Sequence, residues 1–125
     1  LPVCAFAWLA LTGRVPVARI ARVWFSNFLQ NGVSEEFLWR GAFMGRLRAL
    51  AGAEAAVYLQ AFLFGVWHIG ADYHAFGGRL VPLFANMLTG QIAVGLALGY
   101  VTQRTGNIAI GSVFHAMLDS VDELT

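Results

Sequence analysis

Apolar positions run through this chain in long blocks that are broken at only a few points. Residues 80–103 contain no formally charged side chain, and about 20 predominantly apolar residues suffice to cross the hydrocarbon core of a bilayer. Residues 55–71 form a second uncharged block when His68 is neutral, and residues 105–118 a third, interrupted only by His115. Three spans are predicted from these blocks, the last of them short. A fourth begins at "EEFLWRGAFMGRLRAL", which runs apolar from the two glutamates to Arg46 and Arg48. Ahead of it, Arg19, Arg22, Ser26 and Gln30 recur at spacings of three and four within residues 17–30, so they share one helical face. That pattern suits either a helix lying in the membrane interface or the first half of one long tilted span.

The breaks between blocks carry recognisable stop and start signals. Arg14 and Pro16 close the first apolar piece, and Asn31-Gly32 is a weak point for a kink. Ser34 can cap a new turn whose first residues, Glu35 and Glu36, suit the positive end of a helix dipole. Further helices are expected over residues 53–69, 79–101 and 107–122, separated by the connection "GADYHAFGG" and by a turn at Arg104, Thr105 and Gly106. Gly41 with Gly45, and Gly95 with Gly99, are small-residue pairs that let helices approach closely. No internal repeat or linker divides the sequence. The expectation is therefore a single domain over residues 1–125, an all-α polytopic transmembrane bundle of about four core spans with room for one interfacial helix. The first stretch, "LPVCAFAWLALTG", is shorter than a full crossing and has no basic region before it, so it reads as the tail of an earlier span and the chain as a piece of a longer protein.

Composition agrees with a membrane chain. Hydrophobic residues make up 58% and charged residues 12%, against about 25% charged in an ordinary soluble domain; mean hydropathy is +0.65. The lone cysteine, Cys4, excludes an internal disulfide and argues against thiolate metal sites. All eight basic residues are scattered arginines and the formal charge is +1, which leaves no footprint for nucleic acid.

Against this background the ionisable residues within apolar segments stand out, because an ionised group in hydrocarbon is costly. These are Glu35, Glu36, His68, His115 and Asp119. If the chain crosses alternately, Glu35 opens one span and His68 closes the next, so both lie at one membrane face. His115 and Asp119 come back toward that face on the last helix, four residues apart and on one side of it. Convergence at one depth favours a functional site over scattered structural polar groups. Glu36 can reach Arg40 one turn on, which suggests a structural ion pair. Glu35, about 100° away around the helix, is the candidate to take a proton from water if a histidine helps to hold that water.

Three motifs occur in order: EExxxR in "EEFLWR", FxxxH from Phe64 to His68, and HxxxD in "HAMLD". With "GLALGYVTQRTGNIAIGSVFHAMLDS" around the last, they resemble the CPBP family, the intramembrane endopeptidases that include CAAX prenyl endopeptidases and bacteriocin-processing (Abi) enzymes. The resemblance covers residues 33–120. It implies a glutamate-type peptidase without a cofactor, in which Glu35 and His68 activate water, and His115 with Asp119 supports the oxyanion. Glu36, Arg40 and Phe64 would support these groups. It further implies a protein or peptide substrate, membrane-anchored or lipidated, and a place in the bacterial cytoplasmic membrane among its lipids. Asp119 departs from the asparagine typical of prenyl endopeptidases. An ionised carboxylate cannot donate a hydrogen bond, so orientation of His115 is the expected role.

Two rival readings remain at this level. Glu35, His68, His115 and Asp119 could bind zinc with water in an open position, although HExxH is absent. A non-catalytic immunity or scaffold protein, or a proton-coupled carrier, is the other, but carriers usually show repeated halves and none is visible here.

Overall fold

The computed structural model describes residues 2–125, so the first residue of the predicted apolar stretch, Leu1, lies outside the described residues. Every regular element among them is helical. The helices are α1 (Pro2–Leu11), α2 (Val17–Asn27), α3 (Ser34–Glu36), α4 (Met44–Ala51), α5 (Ala53–Trp67), α6 (Ile69–Ala75), α7 (Leu80–Asn86), α8 (Ala93–Thr105) and α9 (Ala109–Leu124). Three π-helical stretches lie between them, at Phe28–Val33, Phe37–Phe43 and Met87–Ile92.

Leu80–Thr105 forms one unbroken helical run of 26 residues, long and apolar enough to cross a bilayer. It is the one such helix among the described residues; Ala53–Trp67 is apolar but shorter. Of the four spans expected from the apolar blocks, Leu80–Thr105 is long and apolar enough as a single helix among the described residues. The block at 55–71 is divided after Trp67, where α6 begins, and the block at 105–118 is interrupted by the left-handed Gly106 before α9 starts. Helix formation also extends where a connection was expected, since "GADYHAFGG" supplies most of α6 before Gly77 and Gly78 end it.

Two compact units are formed. One runs to Phe37 and takes in Ile108–Thr125; the other is Leu38–Asn107. In the first, α2 packs on α9, and Leu9, Val15 and Ile20 are buried together against Phe6, Ala10 and Leu124. Arg19, Arg22, Ser26 and Gln30 are all exposed, as their shared face requires, while Ile20, Val23 and Asn27 point inward. Ser34 does not cap a new helix. Helical turns already run through it, so its hydroxyl instead donates back to the carbonyls of Gln30 and Leu29.

In the second unit α5 packs on α4 and α8. Gly52, at φ 87°, separates α4 from α5, a backbone conformation a side chain would strain. On α8, a Cβ at Gly95 would stand 2.9 Å from Ala61 Cα, and one at Gly99 would run into the side chains of Gln60 and Val57. This small-residue pair is therefore a packing surface. Gly45 is not, having nothing within 4 Å of a Cβ built on it.

Candidate active site

Between Phe28 and Phe43 the regular α-helix gives way twice to π-helical turns, which flank the single α-turn carrying Glu35 and Glu36. Such turns re-aim side chains and are frequent at functional sites. In the first unit this segment lies against α9 because two glycines permit it. A Cβ on Gly32 would collide with the carbonyl oxygen of Ser112, and a Cβ on Gly111 would stand 2.9 Å from Glu36 Oε2. The close approach brings Glu36, which has no exposed surface, up to the Nδ1 edge of the His115 ring.

His115, 4% exposed, is the centre of the cluster. Its Nδ1 lies 2.8 Å from Glu36 Oε1, a buried hydrogen bond across 79 residues of sequence. Its Nε2 lies 3.7 Å from Glu35 Oε2 and equally 3.7 Å from Asp119 Oδ2. Three of the expected site residues, Glu35, His115 and Asp119, are therefore brought together, with Glu36 as a fourth. Asp119 was expected to orient His115. The oriented bond is made by Glu36 instead, because 3.7 Å is beyond hydrogen-bond reach and Asp119 Oδ2 accepts the side-chain N–H of Asn31 at 2.7 Å.

A polar seam continues from there. Asn31 Nδ2 also donates to Asn27 Oδ1 at 3.3 Å, and Asn27 Nδ2 donates to Ser120 Oγ at 3.3 Å and to Glu123 Oε2 at 3.1 Å. The sequence reading missed Asn27 and Asn31 as site residues. Their spacing of four, with Gly32 adjacent, is the signal available in the sequence.

His68, Phe64 and Arg40 belong to the second unit. His68 Nδ1 lies 2.8 Å from the carbonyl oxygen of Phe64, which can only accept, so Nδ1 carries the hydrogen and Nε2 of the neutral ring is an acceptor. The ring is held edgewise between Phe64, at 4.5 Å between centroids, and Trp67, at 5.0 Å. The guanidinium of Arg40 lies over the Phe64 ring at 4.5 Å, a cation–π contact. Nearby in sequence, the buried Asp72 accepts amide N–H groups from Asn86 at 3.3 Å and Gln91 at 3.4 Å, a second polar cluster the motifs did not indicate. Among the described residues no group of three or more His, Cys, Asp or Glu side chains is arranged to hold a metal ion.

A family model described as type II CAAX prenyl endopeptidase Rce1-like matches residues 17–121. The chain belongs to the Rce1-like family. The Rce1-like proteins are membrane proteins and form a protease family. The matched residues take in the Glu35–Glu36 turn, His68 and the whole HxxxD segment of α9. No curated protein and no solved structure gives a significant match.

Proposed function

We propose that this Rce1-like chain is an intramembrane endopeptidase built on a polytopic helical bundle, hydrolysing a peptide bond near the membrane surface. One observation carries the reading: a buried histidine held at Nδ1 by Glu36 presents Nε2 at 3.7 Å from the carboxylates of Glu35 and Asp119. A histidine kept only for packing needs no second and third carboxylate around it.

Glu35 takes a proton from water, and the resulting hydroxide attacks the carbonyl carbon of the scissile bond. The order of the motifs is the basis for giving His68 the water-holding role, and its Nε2, as an acceptor, can take a hydrogen from a water. The carbonyl oxygen becomes an oxyanion, to which His115 donates its Nε2 hydrogen, while a second proton lies on the line between His115 Nδ1 and Glu36 Oε1. Glu35 then passes its proton to the amide nitrogen, the C–N bond breaks, and a carboxylic acid and an amine leave. Asp119, as an acceptor from Asn31, borders this site without donating to the oxyanion.

The family description makes a prenylated CAAX peptide the first substrate to try, consistent with a lipidated substrate at a membrane. Glu35→Gln keeps the shape of the side chain and removes the base. Cleavage of an internally quenched farnesylated CAAX peptide in detergent should fall by at least 100-fold with the folded yield unchanged; full activity in that variant rejects the role of Glu35. No step uses a metal, so activity should survive exhaustive chelation in a sample whose zinc content is measured alongside.

A further inference from the structure

Asp119 stands one helical turn from His115, and its Oδ2 is the oxygen that lies 3.7 Å from Nε2. A displacement of about 1 Å would close that gap to an ordinary hydrogen bond. The imidazole would then be held by a carboxylate at each nitrogen, Glu36 at Nδ1 and Asp119 at Nε2, and Nε2 would be directed along α9 rather than toward a substrate carbonyl. What opposes the movement is Asn31, whose amide N–H is given to that same oxygen at 2.7 Å.

The direction of the Asn31 amide is settled by its neighbours. Its nitrogen faces two oxygens, Asp119 Oδ2 and Asn27 Oδ1, and the nitrogen of Asn27 in turn faces the hydroxyl of Ser120 and the carboxylate of Glu123. Flipping either amide would set oxygen against a carboxylate. Asn31 thus has its donors fixed, and it sits in the π-turn beside Gly32, where the backbone comes close enough to α9 for so short a side chain to reach Asp119.

We infer that Asn31 is a positioning residue for the hydrolysis proposed above: by holding Asp119 off the ring, it directs His115 Nε2 toward the substrate. The inference rests on that functional reading for its catalytic consequence, but the geometry behind it is testable without turnover. Asn31 acts through Asp119, so its effect must vanish when Asp119 is removed.

The test is a double-mutant cycle with Asn31→Leu, which keeps the branched shape and deletes the donor, and Asp119→Ala. With the quenched farnesylated peptide, Asn31→Leu is expected to lower kcat about tenfold or more with KM changed less than twofold, yet to change kcat less than twofold in the Asp119→Ala background. A side chain that acts by packing or through Asn27 would cost the same in both backgrounds, and one that merely ties the π-turn to α9 through Asp119 would lower the melting temperature while kcat per folded enzyme stays unchanged; either result overturns the inference. The second readout is the ¹⁵N resonance of His115 Nε2 in histidine-labelled protein, assigned against His68 and His74 by substitution. It should move on Asn31→Leu as Asp119 closes on the nitrogen and should not respond to Asn31→Leu once Asp119 is alanine; no movement in the first case overturns the inference even in a preparation that cleaves nothing. Glu35→Gln serves as the separating control. Full activity there defeats the proposed role of Glu35, whereas the coupling of Asn31 to Asp119 stands or falls on the cycle and the resonance.

Discussion

The pairing of α5 with α8 and the pairing of α2 with α9 solve one problem in opposite ways. In the first, Gly95 and Gly99 bring α8 against the backbone and side chains of α5, and the buried polar side chains are uncharged, Thr102 and, deepest, Gln60. Both hydrogens of its amide are spent on carbonyl oxygens, of Gly95 at 2.7 Å and Val57 at 3.0 Å. The second pairing also uses glycines, Gly32 and Gly111, but fills the space with Glu36, His115, Asn31, Asp119, Asn27, Ser120 and Glu123. Helices in lipid gain little from burying apolar surface against one another, and close packing alone holds them. The α5–α8 contact shows that this sequence can pack helices without buried charge. The ionisable cluster on α9 therefore carries a desolvation cost that packing did not demand, as the hydrolysis proposed above would require.

The largest effect should come from breaking the charged side of this comparison. Glu36→Ala removes a fully buried acceptor and strands the Nδ1 of His115, and losing one partner of a buried ionic pair typically costs about 3–5 kcal/mol. Denaturant titration of purified protein should show a loss of that size, together with a fall in folded yield. A variant of wild-type stability would mean that the α2–α9 pairing is held by its glycines, like its counterpart.

The next effect is on the packed side. Gly95→Ala puts a methyl group 2.9 Å from a backbone carbon of α5, and Gly32→Ala drives one into the carbonyl of Ser112. Neither obstacle is a side chain that can swing away, so each should destabilise by about 1–3 kcal/mol. Gly111→Ala is different. Its new methyl meets the Glu36 carboxylate, so the expected signature is a larger loss in peptide cleavage than in melting temperature. If all three variants lose stability and activity in step, Glu36 is not being displaced and Gly111 is simply another packing glycine.

Much of this architecture was legible along the chain, and the parts that were not share a cause. The exposed face of α2, the long span near residues 80–103 and the turn at Gly106 follow from periodicity, hydropathy and one breaker residue, all local properties. The glycine pair on α8 was likewise readable, because spacing of four on one helix fixes a face whatever lies opposite. Gly45 shows the limit of that rule, since its spacing from Gly41 is the same but no helix comes near it. At the site, the motifs placed Glu35, His68, His115 and Asp119 at one depth. They could not say which carboxylate would take Nδ1, because that depends on the rotation of α9 against a segment whose pitch is altered by π-turns. A spacing of four made Arg40 a candidate partner for Glu36, whereas the bond of Glu36 to His115 spans 79 residues and no spacing rule reaches it. Asn31 was hidden for the same reason.

Gly45 also supplies the smallest effect and the control for the rest. It is the second residue of α4, which continues directly from the π-helical stretch before it, with helical neighbours on both sides and open space where a side chain would project. Glycine there carries backbone freedom that folding must remove, without gaining a close contact in return, so Gly45→Ala should stabilise by about 0.5–1 kcal/mol. The sign matters more than the size. If alanine is favourable at Gly45 and unfavourable at Gly95, Gly32 and Gly111, the cost at the latter three belongs to the helix approached and not to the helix that carries the glycine. A destabilised Gly45→Ala protein, measured in the same denaturant titration, would place an unseen contact on that face of α4 and would weaken the inference drawn from the other three positions.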